Sequence, residues 1–283
     1  MTSESQEEPM GQTNAEKASL AGQVAVVTGS TQGIGGGIAR KLGEHGARVL
    51  VQGLQSQRAG GEKIVQAIEA AGSQALLTTG DLRDEAHCRS IVGKARERFG
   101  RLDILVNNAG VVHRGTIEDT STALWDEIFA VDLRAPFILC QEAVRHMKER
   151  RSGCIVNIGS VNAYCGLRKL LAYSAAKGGM MVFTKNLANY LSQYCIRVNQ
   201  INPGWVLTEG EHYVEAVVEG KGENWLEDAL KTRPFGRMLL PEDIANAALF
   251  FATNQLISGA VLDYEQYPFG APIDLESPGA VVR

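Results

Sequence analysis

The stretch Val24-Ala25-Val26-Val27-Thr28-Gly29-Ser30-Thr31-Gln32-Gly33-Ile34-Gly35 decides how this chain folds. Val24 to Val27 is a short, β-branched apolar run, as expected of a strand buried on both faces. A glycine-rich turn follows, and a helical pattern runs from Ile34 to Glu44. Strand, turn and helix make the front of a dinucleotide-binding unit. Glycine lets the backbone approach a pyrophosphate, and the helix N-terminus supplies amides and partial positive charge. The spacing is Gly29-x-x-x-Gly33-x-Gly35 rather than the commoner G-x-G-x-x-G, and alone it also reads as a flexible turn. Gly36 and Gly37 carry the run into the helix, where each costs about 1 kcal/mol against alanine. Close backbone packing is one reason to tolerate them.

Outward from this unit the pattern alternates. Arg48 to Gln52 reads as a strand, Gln57 to Ala70 as a helix and Gln74 to Thr78 as a strand. Asp84 to Phe99 is an amphipathic helix and Leu102 to Val106 a buried strand. Ser121 to Lys148 reads as one long helix bent at Pro136. Gly153 to Ile158 is a strand, Ala172 to Gln193 a helix, Ile196 to Ile201 a strand and Pro241 to Ala252 a helix with proline in its first turn. Alternation of this kind predicts an α/β protein with a doubly wound parallel sheet. We read residues 22–270 as a single domain, with Thr208 to Arg233 as a helical flap. Residues 1–21 are polar and acidic and read as a disordered tail, and residues 271–283 as a second tail.

Composition narrows the function. The chain has 283 residues, 45% hydrophobic and 21% charged, with a net charge of -4. That balance leaves no nucleic-acid footprint. No apolar run reaches membrane-spanning length, and no basic start with a hydrophobic segment marks a secretory signal. The five cysteines are scattered and form no C-x-x-C, which fits reduced thiols in the cytoplasm. No cluster suggests a metal.

Ligands of such sheets bind beyond the C-terminal ends of the strands. The predicted strands end there at Gly29, Gly80-Asp81-Leu82, Asn107-Asn108-Ala109-Gly110, Gly159-Ser160 and Asn202-Pro203-Gly204. Any one is an ordinary turn by itself; five on one edge are harder to dismiss. Chemistry is supplied by Tyr173-Ser174-Ala175-Ala176-Lys177. On a helix, Tyr173 and Lys177 lie one turn apart on one face. A neighbouring ammonium favours phenolate and pulls a tyrosine pKa down from about 10. With Ser160 to hold a substrate oxygen, this equipment suits carbonyl reduction or alcohol oxidation.

Taken together, Thr28-Gly29-x-x-x-Gly33-Ile34-Gly35, Asn107-Asn108-Ala109-Gly110, Ser160, Tyr173-x-x-x-Lys177 and Pro203-Gly204-x-x-x-Thr208 resemble the motif set of the short-chain dehydrogenase/reductase (SDR) family, in its order and approximate spacing. The likeness covers about residues 22–265. It implies a Rossmann fold and an NAD(P)-dependent oxidoreductase acting on a small molecule, self-associated as a dimer or homotetramer. By that resemblance Tyr173 is the general acid/base, Lys177 lowers its pKa and holds the nicotinamide ribose, and Ser160 orients the substrate oxygen. Gly29, Ser30, Thr31, Gln32, Gly33, Ile34 and Gly35 line the pyrophosphate and adenosine ribose. Asp81 and Leu82 contact adenine, Asn108, Ala109 and Gly110 the middle of the cofactor, and Pro203, Gly204, Val206 and Thr208 the nicotinamide.

Two departures stand out. The family's catalytic asparagine falls at Asp132, which accepts hydrogen bonds, donates none when ionised and adds charge near Tyr173 and Lys177. After the last strand, Tyr264-Glu265-Gln266-Tyr267-Pro268 replaces the family's aspartate and paired glycines. On the cofactor, no acid stands in Gln52-Gly53-Leu54-Gln55-Ser56-Gln57-Arg58, where NAD enzymes place one. Yet only Arg58 is near to hold the extra phosphate of NADP. The uncharged Leu54 position resembles NAD-using 3-hydroxybutyrate dehydrogenases, which favours NAD over NADP. Val112, Asn162 and Leu170 do not match that group's carboxylate binders. Arg114, Arg168 and Lys169 near the mouth, and an acidic flap carrying Glu209, Glu211, Glu215, Glu219, Glu223 and Glu227 with Tyr213 and Trp225, leave a sugar, polyol or hydroxy acid as candidate substrates. His113 reads as structural. The alternative is a catalytically impaired dinucleotide-binding scaffold, supported by Asp132 alone.

Overall fold

The computed structural model describes residues 19–267; the expected C-terminal tail and most of the N-terminal one lie outside that range. Its elements run β1 (Val24–Val27), α1 (Gly33–Glu44), β2 (Arg48–Gly53), α2 (Arg58–Ala70), β3 (Ala75–Thr79), α3 (Glu85–Phe99) and β4 (Ile104–Asn107). Then come α4 (Thr122–Phe129), a π-helical turn (Ala130–Arg134), α5 (Ala135–Arg150), β5 (Gly153–Ile158), α6 (Leu171–Ser192) and β6 (Ile196–Pro203). The flap is α7 (Glu209–Tyr213), a second π-helical turn (Val214–Val218) and α8 (Trp225–Lys231), followed by α9 (Pro241–Thr253) and β7 (Val261–Tyr264).

The strands form one seven-stranded sheet in the order β3-β2-β1-β4-β5-β6-β7, and each neighbouring pair is parallel. This is the doubly wound, Rossmann-like arrangement the alternation predicts. The strand order reverses between β1 and β4, which opens a crevice at their C-terminal ends. Two cores hold helices to the sheet. On one face α1, α2 and α9 bring Ile38, Leu42, Ile64, Ile68 and Phe251 against Ala25, Val27 and Val49. On the other face α3, α5 and α6 bring Ile91, Leu139, Met147 and Leu191 against Val26 and Leu105.

The helical glycines have packing reasons. A Cβ on Gly37 would stand 3.1 Å from Pro241, and one on Gly43 would stand 2.7 Å from Ile68. Both glycines let α1 approach its neighbours closely.

Three expectations change. Leu20 is fully buried, and its amide bonds to the His45 carbonyl at 2.9 Å, so the fold begins before residue 22. The long helix after Ser121 does not simply bend at Pro136. It passes first through the π-turn at Ala130–Arg134, closed by the Ala135 amide bonding to the Ala130 carbonyl. Pro136 lacks the N–H that an α-helix would aim at the Asp132 carbonyl, and widening the turn is one resolution. Finally, β7 is a partly exposed edge strand that alternation did not delimit.

Candidate active site

The glycine turn is held from behind by the buried Thr28 and Gln52 and the partly buried Asn108. Thr28 Oγ1 accepts from the Asn108 and Ala109 amides at 3.0 and 3.1 Å. Asn108 Nδ2 donates to the Thr28 and Gly29 carbonyls at 2.9 and 3.0 Å. Gln52 Oε1 accepts from the Gly29 amide, while its Nε2 donates to Gly80 O. The ends of β1, β2, β3 and β4 are thus tied together by three side chains.

Within this frame the glycines are required by close approach. Gly29 has φ +59, and a Cβ there would fall 2.7 Å from Ala109 Cα. A Cβ on Gly35 would fall 2.3 Å from both Asn108 Nδ2 and Gly29 O. Gly33 has φ +54 and faces Thr208 across the crevice. Behind it α1 starts with no side-chain cap and no acid in its first turn. Its first amides therefore keep their donors for a ligand. Uncapped amides, glycines and a cleft beside them fit a dinucleotide pyrophosphate.

A cavity of about 340 Å³ runs from this turn over Thr31, Gln32, Ile34, Leu54, Asp81, Leu82 and Ala109. It meets a second cavity of about 550 Å³ that reaches Ser160, Tyr173, Lys177, Pro203, Gly204 and Val206. Ile34, Asn108, Gly110 and Thr208 line both, so the two are halves of one cleft. Among the residues expected to touch the cofactor, Ser30 lines neither half. Its hydroxyl donates to Val27 O and accepts from the Gln52 amide, and the side chain is fully buried beneath the turn. Gln52 braces the turn through Gly29 and Gly80 and also lines the cavity. Leu54 is the half-exposed residue at the expected ribose-selecting position.

At the floor of the second half, Lys177 Nζ lies 5.5 Å from the centre of the Tyr173 ring and donates to Ile158 O at 3.0 Å. Ser160 Oγ accepts from the Asn162 amide and Nδ2 at 3.1 and 3.2 Å, which leaves its own O–H to donate. Asp132 does not line the cleft. It is fully buried behind Lys177, 3.5 Å from Nζ, and accepts from the Val111 amide at 2.8 Å. Its second carboxylate oxygen has no hydrogen-bond partner among the described residues.

The electrostatics differ from the sequence expectation. Burial pushes the Tyr173 pKa above the ordinary value; Lys177 and Ser160 pull it down, while Asp132 and Glu211 push it further up. Lys177 does favour phenolate, as expected, but is outweighed. Burial works against the Lys177 ammonium, yet the Asp132 carboxylate and Tyr173 hold its pKa above the usual lysine range. Burial raises the Asp132 carboxyl, opposed by Lys177 and the Val111 amide.

The flap closes the other side. Thr208 caps α7, accepting from the Glu211 amide at 3.0 Å, and Glu211 Oε1 accepts from the Trp205 indole at 2.6 Å. Arg114 meets Glu219 at 2.8 Å and Glu215 at 3.5 Å, and Lys221 also pairs with Glu215. Trp225 is not a platform for substrate: it is buried in the flap, tilted against Trp205 and bonded through its indole to His212. Tyr213 points to solvent at 60% exposure and lines neither cavity. Arg168 and His113 are exposed and absent from the lining as well. Trp205, unmarked by any motif spacing, does line it.

A single parallel sheet with a glycine turn at its switch point and a serine, tyrosine and lysine gathered at its carboxyl edge is the arrangement of dinucleotide-dependent oxidoreductases. Residues 23–217 match the short chain dehydrogenase family, and the chain belongs to that family. It is 37% identical to an uncharacterized oxidoreductase of Methylorubrum extorquens over 86% of this chain and 96% of that protein. It is 33% identical to a 2-dehydro-3-deoxy-D-gluconate 5-dehydrogenase of Formosa agariphila over 85% of this chain and 90% of the relative. The crystal structure of levodione reductase superposes with a TM-score of 0.81 at 27% identity, over 87% of this chain and 97% of that one. Nicotinamide dinucleotides are the family's cofactors.

Proposed function

We propose that the protein interconverts a secondary alcohol and its ketone with NAD. The observation that carries this reading is the convergence of Ser160, Tyr173 and Lys177 at the end of a cleft that begins at uncapped helix amides. When bound, the nicotinamide accepts or gives the hydride. Gly29, Thr31, Gln32, Gly33, Ile34 and Gly35 would hold the pyrophosphate and ribose, with Asp81 and Leu82 beside adenine. Asn108, Ala109 and Gly110 would flank the middle of the cofactor, and Pro203, Gly204, Val206 and Thr208 the nicotinamide.

The protein's own groups handle the proton. Ser160 donates to the substrate oxygen and fixes it beside Tyr173. In oxidation the Tyr173 phenolate takes the hydroxyl proton; in reduction the phenol returns it. Lys177 sets the charge beneath Tyr173, and Asp132 positions and charges Lys177 from behind.

NAD is favoured over NADP by the cations near Leu54. Arg83 lines the adenosine half but is paired with Asp81 and Glu127. Arg58 is paired with Glu62 and lies outside the lining. Titrating NADH and NADPH separately, by fluorescence, tests the reading. Saturable binding of NADH alone is expected; NADPH alone overturns the cofactor assignment, and neither overturns the enzyme reading. The free cysteines, three of them buried, suit a reducing, cytoplasmic compartment. Exposed Phe137, Val182 and Tyr190 on α5 and α6 suit self-association through those helices.

A further inference from the structure

Building on the alcohol dehydrogenase reading above, we infer that Glu211 selects an uncharged diol or polyol, accepting a hydrogen bond from a second hydroxyl of the substrate. Six ionisable side chains of lysine, arginine or glutamate line the substrate half: Arg114, Lys177, Lys221, Glu211, Glu215 and Glu265. Every cation is already matched. Lys177 faces Asp132, Arg114 faces Glu215 and Glu219, and Lys221 faces Glu215. Glu265 is spent as well, accepting from the Trp205 and Gln266 amides and lying 3.6 Å from Arg233.

Glu211 alone among them has no cationic partner within ion-pair distance among the described residues. One of its oxygens takes the Trp205 indole proton at 2.6 Å; the other receives no hydrogen bond from those residues. Its position is rigid. The Thr208 cap fixes its amide, and Trp205 is itself anchored through its backbone to Glu265. Glu211 lines the same cavity as Ser160 and Tyr173, so the carboxyl group and the reacting oxygen share one space. Burial raises the Glu211 pKa, while the Trp205 indole, Arg114 and Lys221 favour the carboxylate.

A preorganised acceptor with a spare oxygen beside the reacting centre suits a hydroxyl group. It disfavours a carboxylate, which would face an unmatched negative charge with no unmatched cation to meet it. A site built to bond a substrate hydroxyl rejects the analogue that lacks it.

The substitution Glu211→Gln makes a pointed test. The indole still needs an acceptor, so the glutamine oxygen turns to Trp205 and the amide NH₂ faces the cavity. An acceptor becomes a donor. The probes are the vicinal cyclohexanediols, both isomers, with cyclohexanol and a hydroxycyclohexanecarboxylate as matched comparisons. Calorimetric titration into the protein saturated with NADH gives their binding ratios. At least one diol is expected to bind roughly ten- to a hundredfold more tightly than cyclohexanol, the range of a hydrogen bond to a charged group. E211Q is expected to collapse that ratio towards one and to improve binding of the carboxylate. Diol and cyclohexanol binding equally, the carboxylate binding best to the unaltered protein, E211Q leaving the ratios alone, or no diol binding at all would each overturn the inference. NADH binding in the same titrations separates that failure from failure of the dehydrogenase reading. A melting curve with NADH shows that E211Q is folded, and Glu211→Asp, a shorter acceptor, should keep part of the diol preference.

Discussion

Tyr173 and Lys177 illustrate how one pair of side chains carries opposing demands. Burial favours phenol, the ammonium favours phenolate, and Asp132 beyond the ammonium tilts the balance back towards phenol. Removing the hydroxyl by Tyr173→Phe should lower turnover about a hundred- to ten-thousandfold, the usual weight of a proton-transfer group, while NADH affinity persists. Loss of both together would mean the ring holds the site's shape rather than its proton. Asp132→Asn tests the balance itself. Alcohol oxidation needs phenolate, so its rate rises as pH climbs through the Tyr173 pKa. The Asp132 charge raises that pKa, so asparagine should lower it and shift the rising limb of kcat to lower pH. An unmoved limb would show that the carboxyl carries no charge felt at Tyr173; a large gain in maximal rate would favour the impaired-scaffold alternative.

The same residues show what a sequence can disclose. Tyr173 and Lys177 were legible because one turn of helix fixes their relation, and Gly29 and Gly35 because backbone crowding admits nothing larger. Ser30 is less legible. Its neighbours in the turn line the cleft, and only the fold reveals that its hydroxyl turns inward to Val27 and Gln52. Trp205 and Glu211 meet through a hydrogen bond across a loop and a short helix, without any periodicity to announce it.

At the scale of elements, α1 and the flap are the parts whose placement sets the cleft. The register of α1 depends on Gly35, where a Cβ would strike the Gly29 carbonyl and the Asn108 amide. Gly35→Ala should therefore destabilise by about 1–3 kcal/mol, as overpacking does, and should weaken cofactor binding more than a surface alanine would. Urea midpoints beside NADH titrations check both; an unchanged midpoint would mean the turn has slack that its packing hides. Over the other end of the cleft, Arg114 in the loop after β4 and Lys169 in the loop before α6 reach Glu215 and Glu219 on the flap. Arg114→Ala should loosen that clasp. A several-fold rise in alcohol KM is expected, with NADH affinity nearly constant, and faster amide exchange across residues 209–231. Equal loss of cofactor binding would place Arg114 in the cofactor half instead.

At the scale of the whole molecule, the sheet buries its faces under helices, yet large apolar side chains stay exposed on two sets of elements. On α5 and α6, Phe137 and Val182 are about half exposed, and Phe137 sits edge-on to Phe183 at 6.3 Å. Leu256, in the loop between α9 and β7, is 95% exposed, and Phe250 on α9 is about half exposed. A monomer gains nothing from either patch in water, whereas a stable assembly needs about 800 Å² per partner. If both patches are interfaces, two perpendicular pairings close a tetramer with four identical clefts. Sedimentation velocity should then find a tetramer for the unaltered chain. Phe137→Glu with Val182→Glu should halve it to a dimer held through the β7 side, and Leu256→Glu should halve it to a dimer held through α5 and α6. All three substitutions together should give monomers. Charges placed on an interface act by desolvation and repulsion, so each partial dissociation should carry a lower melting temperature without altering the order of the strands. A monomeric unaltered chain, or a tetramer indifferent to these charges, would reassign both patches to something other than self-association.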